Sequence, residues 1–156
     1  MDDRKHLVGQ MKNRALIYLE IYDVLNEEFG ARKAEALLTE AIYRRGKNMG
    51  AAFAKFAPAD LAGLRSAFLA SVPGGEAIFR PQVLKSDDKT LEIQLHGCPL
   101  KDAWREAGLP EEKVAMLCRI AGAVDKGLFE GAGFGFENRT WTPGAEGCCF
   151  LSIRPR

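Results

Sequence analysis

Cysteine is missing from the first 97 residues of this chain, and all four (Cys98, Cys118, Cys148, Cys149) fall between position 98 and the end. Their absence from the front half excludes a disulfide framework that runs through the fold, and no C-x-x-C pair marks a zinc ribbon or a thioredoxin-like centre. A surplus of charge of either sign is also missing. Net charge is +1, which leaves no electrostatic footprint for nucleic acid or for an anionic membrane surface. Nor is there an apolar run near the roughly 20 residues needed to cross a bilayer. The opening Met1-Asp2-Asp3-Arg4-Lys5 leads into an amphipathic stretch rather than a secretory apolar core. The chain therefore reads as cytoplasmic, with its cysteines as reduced thiols.

What is present is ordinary for one globular domain over residues 1–156: 47% hydrophobic and 28% charged residues, and enough length to bury a core without staples. In the first seventy residues Leu7, Met11, Ala15, Tyr18, Leu19, Tyr22, Leu25 and Phe29 recur at three- and four-residue steps. That stripe predicts one helix, ended by Gly30. A second helix is expected over 31–56, with Ala34, Leu37, Leu38, Ala41 and Met49 inside and Pro58 as its stop. A short third helix spans 59–71. Strands are expected over 77–84 and 90–96 around a Ser86-Asp87-Asp88-Lys89 turn. A short helix follows over 99–108, opened by Pro99. One long helix is expected over 110–130, its first turn acidic. Two more strands follow, 134–141 and 148–153. The order ααα-ββ-αα-ββ predicts an α+β domain: three helices packed with an antiparallel sheet of two hairpins.

Chemistry concentrates where the thiols are. His96 and Cys98 are two apart at the end of a strand, so both side chains are expected on one side. Cys98 also precedes a helix start, where free N–H groups and the dipole stabilise a thiolate. It reads either as a nucleophile or metal ligand, or as no more than the capping position. On the long helix, Asp125 lies two turns beyond Cys118 on an apolar face, where a carboxylate is costly unless partnered. It reads as a pocket group or as the edge of the core. Cys148 and Cys149, adjacent on a strand, are expected to point to opposite faces, so only one can join the others. His96, Cys98, Cys118 and Cys148 would make a tetrahedral nitrogen and sulfur set for a divalent metal such as zinc, although the spacing is not a known zinc pattern. Arg45, near the inner stripe of its helix, and Arg139, on a strand, are candidate clamps for a substrate carboxylate or else surface cations. The glycines of 131–135 precede a strand rather than open a helix, so they do not form a phosphate loop.

The succession Gly97-Cys98-Pro99-Leu100, Leu117-Cys118, Asp125, Asn138-Arg139-Thr140 and Gly147-Cys148-Cys149-Phe150 resembles the L-2-amino-thiazoline-4-carboxylic acid hydrolase family over residues 90–155. Here Cys148, two before Phe150, takes the place of the family cysteine. The family is distantly similar to vinyl-reductase and TRAPP-type ligand-binding folds. The resemblance implies opening of a thiazoline ring that carries a 2-amino group and a carboxylate, giving N-carbamoyl-L-cysteine. On these residues two routes are open: attack by Cys98 with His96 shuttling a proton and Asp125 orienting, or water activated by a metal on the four-residue set. The competing expectation is a sensor that binds a small molecule or metal without turnover, its pocket lined by cysteine, Phe134, Phe136 and Trp141. A further expectation is an interacting subunit or homodimer, which an uncovered apolar helix face would favour.

Overall fold

The computed structural model describes residues 2–156. Six α-helices and four strands are formed among them: α1 (Asp3–Phe29), α2 (Ala31–Gly50), α3 (Leu61–Ser71), β1 (Pro81–Ser86), β2 (Leu91–Leu95), α4 (Pro99–Glu106), α5 (Glu111–Ala121), α6 (Ala123–Gly131), β3 (Gly135–Arg139) and β4 (Phe150–Arg154). The mixed class and its two antiparallel hairpins match expectation. The sheet order is β1-β2-β4-β3, so the hairpins join through β2 and β4, where Ile93 lies opposite Leu151.

Local chemistry sets several boundaries. Asp2 caps α1 by accepting from the Lys5 amide, and Gly30 ends it with φ 86°, its N–H bonded to Asn26 O. Asp87 closes the β1–β2 turn by accepting from the amides of Lys89 and Thr90. The expected long helix over 110–130 is instead two, divided at Gly122. Asn138 of β3 donates to the Gly122 carbonyl, so the side chain of a strand holds the break.

The second helix also differs from expectation. Its α-helical part ends at Gly50 and continues as a 3₁₀ segment to Phe56. Its inner stripe is Ala34, Leu38, Ile42, Gly46 and Gly50, whereas Leu37 and Met49 are exposed. The reason lies in α6. A Cβ at Gly46 would meet the Val124 carbonyl, one at Gly50 the Leu128 carbonyl, and one at Gly127 the Tyr43 carbonyl. The two helices therefore touch backbone to backbone, and glycines occupy positions that larger apolar residues hold elsewhere.

Two apolar clusters result. One lies among the helices around Met11, Leu38, Trp104 and Leu117. The other lies between the sheet and α3 and α6, around Leu64, Phe129, Phe134 and Ile93. Phe79 and Cys98 pack against both.

Candidate functional site

Cys98 stands at the junction of β2 and α4. It is the N-cap of α4, in extended conformation, with Pro99 in the first helical position. Residues 148–149 reach it because the chain after Gly147 (φ 73°) runs back along β2: the Cys148 amide donates to Leu95 O, and the Leu95 amide donates to Cys149 O. The Cys148 thiol neighbours that of Cys98 closely enough to raise its pKa. The Cys148 thiol donates in turn to Cys149 Sγ at 3.7 Å. The expectation that the vicinal pair would point to opposite faces fails, because the regular pleat of β4 begins only at Phe150. Cys118, buried on α5, lies behind the group.

The residue that sequence reasoning missed is Lys101. It is the one buried charged side chain among the described residues, only 8% exposed. Its Nζ donates to Gly147 O at 2.7 Å and lies 5.6 Å from the centre of the Trp141 ring. No carboxylate pairs with it among the described residues. Its position in the first turn of α4 also opposes the helix dipole. Two costs, burial of a charge and an unfavourable dipole, fall on one residue. The signal available beforehand was a lysine one turn after a cysteine cap, where an acidic residue is favoured.

Electrostatics overturn the expectation of a lowered Cys98 pKa. The neighbouring Cys148 thiol and burial push it well up, and the Lys101 and Leu100 amides offset this only in part. Burial likewise pushes Cys118 up to about 12, with Lys101 acting against it. Cys148 is raised chiefly by its bond to Cys149, again against Lys101. Cys98, Cys118 and Cys148 are therefore protonated at neutral pH.

The remaining candidates disperse. His96 is exposed at the end of β2, with Nε2 2.8 Å from Gln82 Oε1. Its Nδ1 faces Gly147, 3.7 Å from where a Cβ of that glycine would stand, so the ring marks the rim of the site without bonding a thiol. The regular strand stops at Leu95, so the alternation that would align His96 with Cys98 does not extend that far. The four-residue metal set is not assembled: no group of three or more His, Cys, Asp or Glu side chains among the described residues is arranged to hold a metal ion. Asp125, on α6 beyond the break at Gly122, is half-buried, and desolvation of its carboxyl pushes its pKa up to about 7. Arg45 is exposed on α2. Arg139 stacks on Phe150, 4.5 Å from the ring centre, and lines a shallow cleft of about 480 Å³ on the outer sheet face with Glu92 and Glu137. A second cleft of about 380 Å³ lies where α1 and α4 begin, beside Pro99 and Asp102. Neither is lined by a cysteine. Phe134 and Phe136 belong to the core under the sheet; of the three aromatics expected around a pocket, Trp141 alone stands beside Lys101.

An α+β fold whose thiols converge at a helix start beside a buried lysine is the class that the geometry defines. The sequence profile described as L-2-amino-thiazoline-4-carboxylic acid hydrolase matches residues 10–151, and the chain belongs to that family. No curated protein matches. Among solved structures, a trafficking protein particle complex subunit 3 from Naegleria fowleri, covalently bound to palmitic acid, is similar with a TM-score of 0.60 at 14% identity. The likeness covers 94% of this chain and 95% of that one, and it shows a shared fold. No helix among the described residues is long and apolar enough to cross a membrane.

Proposed function

We propose that the protein is a hydrolase that opens a small cyclic amidine such as L-2-amino-thiazoline-4-carboxylate to N-carbamoyl-L-cysteine, with Cys98 as nucleophile. The observation that carries this reading is the buried, unpaired Lys101 ammonium beside the Cys98–Cys148–Cys149 thiols. A buried cation with no internal carboxylate to balance it suits an anionic ligand, and a substrate carboxylate is one.

A protonated thiol is a poor nucleophile, but the substrate carries its own base. The ring nitrogen of the amidine takes the Cys98 proton, which makes the thiolate and raises the electrophilicity of the carbon between nitrogen and sulfur. The Cys98 sulfur bonds to that carbon, the ring carbon–sulfur bond breaks, and the proton passes to the departing sulfur. The carbon is then held on Cys98 as an S-linked amidine. Water adds to it and the bond to Cys98 breaks. One water proton returns to the Cys98 sulfur and the other stays on nitrogen, leaving the carbamoyl group. His96, at the rim with Nδ1 toward Gly147, takes a proton from that water in this reading. Asp125 is given no direct part.

The test is turnover of L-2-amino-thiazoline-4-carboxylate, with N-carbamoyl-cysteine followed by mass spectrometry. Cys98→Ala is expected to abolish it, and His96→Asn to slow it by about 10²-fold. Wild-type turnover in Cys98→Ala would remove the mechanism. A second reading, a binding module without turnover, is favoured by the absence of cysteine from the lining of either cleft. The trafficking subunit's covalent palmitic acid suggests one form of it, an acyl group on one of these thiols. An intact mass raised by one palmitoyl group, with the substrate recovered unchanged, would establish that form.

A further inference from the structure

Helix α1 is apolar on two opposite sides. One side packs inward through Met11, Ala15, Leu19 and Tyr22. The other presents Ile17 (49% exposed), Ile21 (40%) and Val24 (62%) to solvent. These three are spaced i, i+4, i+7 and form one continuous stripe. A surface helix normally carries charge there, and a helix apolar all round is normally buried. Leu16, 41% exposed, widens the patch.

Charge along the same face is polarised. Arg14 lies in its first half; Glu20, Glu27 and Glu28 lie in its second half, and all four are exposed. None takes part in an ion pair among the described residues, whereas Lys12 and Asp23 are engaged inside the chain with Glu106 and Lys113. Glu27 and Glu28 crowd the C-terminal end of the helix, with no basic residue in its last turn. There the dipole disfavours negative charge. Such a face is unfavourable alone and complementary to itself in reverse.

We propose that two copies of this chain pair through α1, antiparallel about a two-fold axis between Ile17 and Ile21. Ile17 of one copy then meets Ile21 of the other. Arg14 lies over the other copy's Val24 and, one turn further along, reaches its Glu28. The contact is made twice because the axis repeats it. The antiparallel helix dipoles oppose favourably, and each acidic end receives the other's Arg14. The thiol site lies on other elements, so the pairing stands or falls independently of the proposed reaction.

Sedimentation of the full chain over a range of concentrations tests this. A dimer is expected for wild type. Ile21→Glu, at an exposed position that leaves the monomer core untouched, is expected to weaken it by at least about 30-fold, with an unchanged circular dichroism spectrum. Arg14→Glu is expected to weaken it as well, and Arg14→Glu combined with Glu28→Arg to restore it. A wild-type monomer at every concentration would overturn the proposal. So would a dimer insensitive to Ile21→Glu, or a charge swap that fails to rescue.

Discussion

Lys101 and Asp125 are the two residues whose charge the fold treats most harshly, and each makes a measurable demand. Lys101 acts on the Cys118 and Cys148 thiols by lowering their pKa values. Lys101→Met should leave those thiols higher still and slow alkylation of the Cys148 peptide by iodoacetamide at pH 9 severalfold. An unchanged rate would show that the ammonium does not bias the thiols. For Asp125 the sign runs the other way from most carboxylates. Its pKa is about 7 in the folded chain against an ordinary 3.8, so the folded state binds the proton more tightly than the unfolded state does. The stabilising contribution is complete below about pH 4 and is lost as pH rises through 7. Asp125→Asn should flatten that part of the profile and make the protein more stable than wild type at pH 8. Urea midpoints for both proteins at pH 5 and pH 8 would decide it, and equal shifts at the two values would refute it.

Among the elements, α2 and α6 depend on having no side chain between them. Gly46→Ala or Gly127→Ala places a methyl against a carbonyl of the opposite helix, and each should cost about 2 kcal/mol. Ala at Gly9, which has open space around it, should instead stabilise α1 slightly. Thermal melts of the three variants would separate them. The helix boundaries nearest a capping or breaking residue were legible in the sequence, as at Gly30 and Pro99. The division at Gly122 was not, because glycine inside a helical pattern is tolerated and the side chain that holds the break, Asn138, lies 16 residues on in a strand. For the same reason the inner face of α2 was read one step off. Hydrophobic periodicity weighs large residues, and here the closest contact is made by the smallest.

For the molecule as a whole, the mixed class and its antiparallel hairpins were legible, since they follow from alternation and turn residues. Lys101 was invisible because its meaning comes from burial, and burial comes from long-range packing of α4 under residues 141–147. Cys98, in turn, belongs to neither core alone. It touches the cluster among the helices and the cluster beneath the sheet, as a stitch touches two pieces of cloth. An atom group added to its sulfur occupies the line along which the two halves of the molecule meet. A chemical event at one thiol is thereby also a mechanical one, felt first in how firmly the helical layer rests on the sheet.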